Sequence, residues 1–273
     1  MHIYPKKSLG QNFLKDPHYL GKIVEAAQVG PQDQVLEIGP GLGHLTRVLA
    51  ETGCTLLLLE LDDRLIPRLN EEFGSRTTVQ VVHADALEYD YGGLSGVWKV
   101  VANLPYYIST PIIQKLIAQR GRFTTLTLML QKEVAERIAA DPGGKEYGFL
   151  SVLVQYAAVP RIEFSVPAGA FTPRPKVDST VLTLSMRARP ITIANDEALF
   201  LRVIKAAFSQ RRKTLRNSLG QLGYPRDVMS AVKDGTGIDL GRRAETLSVS
   251  EFCRLANFLG NAQSESTGTQ IQL

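Results

Sequence analysis

Apolar positions along this 273-residue chain fall into two rhythms. Short continuous runs at residues 35–38, 55–60, 79–83, 97–102 and 124–130 alternate with segments whose apolar positions recur every three or four residues. The runs predict strands buried on both faces, and the segments between them predict crossover helices. Together they predict an α/β fold built on a mostly parallel sheet with helices on both faces. A first helix is expected over 16–28, with Asp16 as N-cap and Pro17 at its first position. Further helices are expected over 131–140, where Asp141-Pro142-Gly143-Gly144 stops the pattern, and over 148–157. Residues 158–164 and 180–186 read as closing strands. After a linker at 187–195, helical patterns at 196–220, 225–233 and 248–260 describe a small second domain. The expected boundaries are therefore 1–186, 187–260 and a disordered tail at 261–273, rich in Ser, Thr and Gln.

Chemistry-bearing residues stand at the carboxyl ends of four of these runs, where open α/β sheets bind ligands. Glu37-Ile38-Gly39-Pro40-Gly41-Leu42-Gly43 carries the first run into a glycine-rich turn and a helix starting near His44. Gly39 and Gly41 let the backbone pass close to a ligand. Glu60 ends the second run, about 20 residues after the glycines, a placement suited to accepting ribose hydroxyls. Asp85 follows the third run and is placed to accept from an adenine amino group; it is equally suited to capping a helix. Asn103-Leu104-Pro105-Tyr106 follows the fourth. The Asn103 side-chain oxygen and the Leu104 carbonyl can accept from an exocyclic NH2, and the Tyr106 ring can stack on the base. The plain alternative is a strand end, a proline turn and a half-buried tyrosine.

Charge adds a second theme. Residues 1–186 hold 18 Lys and Arg against 19 Asp and Glu, whereas residues 187–260 hold 13 against 7. A basic small domain beside a near-neutral large one suggests a polyanionic partner, with solvated helix faces as the alternative. If residues 200–219 form one helix, Phe200, Ile204, Phe208, Leu215 and Leu219 share an apolar face. Lys205, Arg212, Lys213 and Arg216 then lie beside it, free for phosphates. Arg211 falls in the apolar sector of that projection, which predicts a break or an internal ion pair near Ser209. No apolar run reaches 18 residues, the N-terminus lacks a signal-peptide core, and the two cysteines are far apart. These features predict no membrane span, no disulfide framework and a cytoplasmic location.

The order of motifs resembles that of class I S-adenosylmethionine-dependent methyltransferases, which are Rossmann-like. Within them it is similar to the ribosomal RNA adenine N6-dimethyltransferase family, in particular its small-subunit (16S) branch. The likeness covers nearly the whole chain. Besides the glycine turn and Asn103–Tyr106 it includes Ser8-Leu9-Gly10-Gln11-Asn12-Phe13-Leu14 and Lys145-Glu146-Tyr147-Gly148-Phe149-Leu150-Ser151. It continues with Phe171-Thr172-Pro173-Arg174-Pro175-Lys176-Val177-Asp178-Ser179, Phe208-Ser209-Gln210-Arg211-Arg212-Lys213 and Arg243-Ala244-Glu245-Thr246-Leu247-Ser248. The resemblance implies S-adenosylmethionine as cofactor, held by Asn12, Leu14, Gly39, Gly41, Glu60, Asp85 and Asn103. It implies a small C-terminal helical domain that docks on RNA. It implies that Phe171 covers the target base opposite Tyr106; read by itself, Phe171 is as well explained as a core anchor. The implied reaction is dimethylation of N6 on two adjacent adenosines in a hairpin loop near the 3′ end of 16S rRNA, in an assembling small subunit, by a monomer.

Other readings fit less well. A nicotinamide dehydrogenase would need glycine where His44 stands, and has no use for Asn-Leu-Pro-Tyr. A radical mechanism needs three clustered cysteines. A zinc deaminase needs H-x-E and P-C-x-x-C, both absent. A non-catalytic RNA-binding scaffold would not need Gly39, Glu60, Asp85 and Asn103 together. Within the family, large-subunit rRNA and a mitochondrial transcription-factor role are the rival assignments.

Overall fold

The computed structural model describes residue 6 and residues 10–268. Residues 8–9 of the first motif and 269–273 of the tail lie outside the described residues. The elements in chain order are β1 (Phe13–Leu14), α1 (Pro17–Ala27), β2 (Gln34–Ile38), α2 (His44–Glu51), β3 (Thr55–Glu60), α3 (Ile66–Phe73) and β4 (Val79–His83). Next come β5 (Trp98–Asn103), α4 (Ser109–Ala118), β6 (Phe123–Gln131), α5 (Lys132–Ala139), α6 (Phe149–Ala157), β7 (Ala158–Val166), β8 (Phe171–Thr172) and β9 (Ser179–Met186). Last are α7 (Glu197–Ala207), α8 (Leu215–Leu219), α9 (Arg226–Thr236) and α10 (Val249–Gly268).

Seven strands form one sheet in the order β4-β3-β2-β5-β6-β9-β7. The first five are parallel neighbours, and β9 runs antiparallel to both β6 and β7. The continuous apolar runs have their expected cause, burial on both faces. Val35, Leu36, Leu56, Leu58, Val100, Val101, Leu126 and Leu128 are all at most 1% exposed. Asp16 caps α1 by accepting the His18 N–H, and Pro17 occupies the first turn, where no N–H is needed.

The chain order turns back at β2: β3 and β4 lie on one side of it, β5 and β6 on the other. Such a reversal opens a crevice at the strands' carboxyl ends. The register pairs Ile38 with both Leu59 and Ala102, and Glu60 with His83. Gly39, Glu60 and Asn103 therefore emerge one step beyond a common level, with Asp85 two residues past the end of β4.

Three expectations change. The chain divides into a unit of residues 1–136 and 158–186 and a unit of residues 137–157 and 187–273. Residues 137–157, expected in the large domain, thus belong with the C-terminal helices. Tyr156 packs on Phe200 at 4.7 Å between ring centroids, Tyr147 on Phe208 at 6.1 Å, and the Gly143 N–H donates to the Glu245 carbonyl at 2.6 Å. The transfer adds Arg137 and Lys145 against Asp141 and Glu146, so the basic excess of this unit is unaltered. Second, α10 runs on to Gly268, so the tail is helical over 261–268 rather than irregular. Third, the helix projected over 196–220 is broken into α7 and α8. The Ser209 hydroxyl donates back to the Ala206 carbonyl at 2.7 Å, and the Gln221 side-chain amide donates to the same carbonyl at 3.2 Å. The Ser209 N–H also turns to the Ala206 carbonyl, at 3.2 Å, an i→i−3 bond that ends the helical ladder. Arg211 consequently escapes the apolar sector and donates to the Lys145 carbonyl at 2.7 Å.

Candidate active site

The crevice at the reversal point is a cleft in the first unit enclosing about 790 Å³, including the part open to solvent. It is lined by Asn12, Gly39, Gly41, Glu60, Asp85, Asn103, Leu104 and Tyr106, together with Gly10, Gln11, Phe13 and Tyr107. All four strand ends singled out in the sequence thus meet in one place.

The glycine turn is shaped by left-handed backbone at Gly39 (φ 69°) and Gly41 (φ 58°). A Cβ on Gly39 would meet nothing within 4 Å, so this backbone faces open cleft. A Cβ on Gly41 would stand 2.9 Å from the Phe13 ring, which closes over the turn. Glu60 is 5% exposed. Its Oε2 accepts the Gly41 N–H at 2.9 Å and its Oε1 the Asp62 N–H at 2.8 Å. Burial raises its pKa, and the two backbone donors oppose that rise. A carboxylate offers about four lone-pair positions, so one on each oxygen stays available to a vicinal diol. Asp85 Oδ1 accepts the Leu87 N–H at 2.8 Å within a turn, with no helix there for it to cap, and the residue also lines the cleft.

On the other side of the reversal, the Asn103 side chain donates from Nδ2 to the Asn12 carbonyl at 3.1 Å. That bond turns Oδ1, the acceptor, to the free side of the amide. Tyr106 is half-buried and its hydroxyl shares a 2.7 Å hydrogen bond with Ser179, which fixes the ring. Burial raises the Tyr106 pKa, so the phenol is neutral and its ring is a neutral stacking surface.

Two expected site residues do not line the cleft. Phe171 and Leu14 pair with each other in a two-stranded antiparallel sheet formed by β1 and β8. They are 4% and 5% exposed and belong to a core cluster with Leu20, Ile23 and Met129. Phe171 therefore anchors the N-terminal segment, the core role it was equally suited to. Leu14 lines a smaller cavity behind Gly39 and Asn103. The basic residues Lys205, Arg212, Lys213 and Arg216 are all exposed in the second unit, but not on one helix: Lys205 is on α7, Arg216 on α8, and the other two lie in the turn between.

The site also contains residues the sequence reading did not single out. Asp62 is 2% exposed and accepts from Gln11 Nε2 at 2.9 Å and from Arg64 Nη2 at 2.6 Å. The Arg64 guanidinium holds its carboxyl well down, to a pKa of about 2. The available signal was local: an acidic residue just past a strand end with arginine two positions on. Glu37, at the start of the glycine motif, is also 2% exposed, and burial pushes its pKa up to about 8. It accepts from the Thr46 hydroxyl at 2.7 Å.

Glycine backbone, a buried carboxylate with acceptor positions to spare and a second carboxylate at successive strand ends suit a nucleoside-bearing cofactor. The fold and this site define an S-adenosylmethionine-dependent methyltransferase of Rossmann-like architecture. Residues 4–261 match the ribosomal RNA adenine dimethylase family, and the chain belongs to it. It is an rRNA adenine dimethyltransferase with S-adenosylmethionine as methyl donor. It is 47% identical to the ribosomal RNA small subunit methyltransferase A of Moorella thermoacetica, over 94% of this chain and 93% of the relative. The Geobacter sulfurreducens protein of the same name is also 47% identical, over 94% and 96%. Among solved structures, a dimethyladenosine transferase from Plasmodium falciparum superposes with a TM-score of 0.77 at 27% identity, covering 89% of this chain and 95% of the other. The 23S rRNA methyltransferase ErmE gives 0.70 at 28% identity, covering 91% and 100%.

Proposed function

We propose that this enzyme dimethylates N6 of two adjacent adenosines in a hairpin loop near the 3′ end of small-subunit rRNA, during assembly of that subunit. The observation that carries the reading is the meeting of Glu60, Asp85 and Asn103 in one cleft across the sheet reversal. The 47% identity to small-subunit relatives, against 28% to a large-subunit enzyme, supports the choice of substrate.

In this reading Glu60 accepts both ribose hydroxyls, Asp85 accepts from the adenine amino group, and the Gly39–Gly41 backbone lies along the methionine part. Bound there, S-adenosylmethionine supplies an electrophilic methyl group. The adenosine N6 is a poor nucleophile because its lone pair is delocalised into the ring. Asn103 Oδ1 and the Leu104 carbonyl accept its two hydrogens, favour a pyramidal nitrogen and aim the lone pair. Tyr106, held by Ser179, stacks on the unstacked base. This is catalysis by positioning and fixed dipoles. N6 becomes acidic as it is alkylated, so no side chain need remove its proton before attack. Lys205, Arg212, Lys213 and Arg216 are assigned to phosphates of the folded RNA. Among the described residues no helix is long and apolar enough to cross a membrane; the reading adds that the enzyme works as a monomer in the cytoplasm.

The test is incubation with labelled cofactor and, separately, undermethylated small subunits, naked rRNA and large subunits. Label in N6,N6-dimethyladenosine at adjacent positions of the small-subunit RNA is the expected result. Label in the large subunit alone would overturn the assignment.

A further inference from the structure

The amide of Asn103 can present either its oxygen or its NH2 to the cleft, and only the oxygen can accept from an adenosine amino group. What sets its orientation is the Asn12 carbonyl, which takes the Nδ2 donor at 3.1 Å. Asn12 belongs to a short segment without helix or long strand to hold it. Its neighbour Gln11 is tied down: Gln11 Nε2 donates to Asp62 Oδ2 at 2.9 Å. Asp62 is in turn fixed by a forked pair with Arg64, Nε to Oδ1 at 2.8 Å and Nη2 to Oδ2 at 2.6 Å. On the far side of Asn12, the Phe13 ring packs over Gly41 and β1 pairs with β8. The Asp62 N–H, meanwhile, donates to Glu60 Oε1.

We propose that Gln11 and Asp62 form a latch that positions the Asn103 amide for the acceptor base, by holding the Asn12 carbonyl in place. Both are positioning residues, and neither is assigned a contact with the reacting atoms. A buried carboxylate with an arginine fork needs no third partner for its own stability. Its bond to Gln11 spans 51 residues and ends one residue from the carbonyl that orients Asn103. Through Asp62 the loop that steadies the ribose-binding carboxylate also steadies the acceptor amide. The two halves of the site are thereby assembled by one buried residue, its N–H toward Glu60 and its carboxylate toward Gln11. The catalytic part of this inference rests on the methyl-transfer reading above.

Two variants test it. Gln11→Met keeps the length of the side chain and removes the donor. Gln11→Glu sets a carboxylate against the Asp62 carboxylate. Single-turnover transfer of labelled methyl to undermethylated small subunits should fall about tenfold or more in both variants, the effect of one hydrogen bond to a charged group. A second readout needs no RNA: the Asn103 side-chain amide protons, followed by 15N NMR, should exchange with solvent faster in Gln11→Met than in the wild type. A wild-type transfer rate in Gln11→Met overturns the latch. If the wild type itself fails to methylate small subunits, the substrate assignment falls, and the amide exchange rate alone decides the latch: unchanged exchange overturns it.

Discussion

Replacing Glu60 with alanine separates the structural role of this carboxylate from its proposed contact with the ribose. In the folded protein it accepts the N–H groups of Gly41 and Asp62 at 2.9 and 2.8 Å, in a buried setting. Hydrogen bonds to a charged group contribute about 1.5–3 kcal/mol each. Opposing them is the burial of the charge itself, which raises the pKa of this group. The two effects partly cancel, so Glu60→Ala should lower folding stability by only about 1–3 kcal/mol. Cofactor binding has no such offset, because the site loses both acceptors for the ribose hydroxyls. One charge-assisted bond of about 1.5–3 kcal/mol corresponds to a rise in Kd of about 10- to 100-fold. Titration calorimetry with S-adenosylmethionine and S-adenosylhomocysteine, beside a thermal melt, gives both numbers. Glu60→Gln serves as the shape control: it keeps one acceptor oxygen but turns an NH2 toward a backbone N–H, so its Kd should fall between the other two. A folded Glu60→Ala variant that binds both ligands within about threefold of the wild type would refute the ribose assignment and the reasoning from the strand end.

Asn103→Ala should slow single-turnover methyl transfer by about 10²–10³-fold, the usual effect of removing one preorganised dipole, while cofactor affinity measured by calorimetry changes little; near-normal transfer removes Asn103 from the acceptor site. Burial pushes the Glu37 pKa up to about 8 in the folded protein, from an ordinary 4.5, so its ionisation penalises the folded state. Stability from this group is fully present below about pH 4.5 and is lost as pH rises toward 8, at about 1.4 kcal/mol per unit. Denaturant titrations from pH 5 to 8 should therefore show a flatter pH dependence for Glu37→Gln; parallel curves would contradict the buried neutral acid. Arg212→Glu/Arg216→Glu should weaken binding to small subunits and reduce the slope of log K against log salt by about 1.5, the share of two phosphate contacts, with cofactor affinity unchanged; a wild-type slope means these arginines are only a solvated surface.

The parts of this molecule that could be read from its sequence are those set by strand order alone. In a parallel sheet buried on both faces, the runs ending at Ile38, Leu59 and Ala102 come out in register. Residues just beyond them are then neighbours whatever the loops do, and Gly39, Glu60 and Asn103 were recognisable for that reason. What escaped depends on pairings between distant segments. A two-residue strand such as β1 has no periodicity to detect, and it exists only because Phe13 and Leu14 meet Thr172 and Phe171. That pairing draws Phe171 into the core, although its motif resembles one that covers a base. The break after α7 had a local sign, Arg211 in an apolar sector, but the bond found there, Gln221 reaching back to Ala206, had none. The allegiance of α6 was equally invisible, since Tyr156 could have packed on the sheet as readily as on Phe200. The acceptor amide joins both cases. Strand order brings Asn103 to the cleft, but its amide is engaged by the Asn12 carbonyl, 91 residues earlier in the chain, and the proposed contact with the base depends on that bond. Placement at a site is thus a property of topology, whereas chemical competence at that site is a property of long-range hydrogen bonding. A variant with every strand end intact but a loosened N-terminal segment would keep the cleft and lose the reaction.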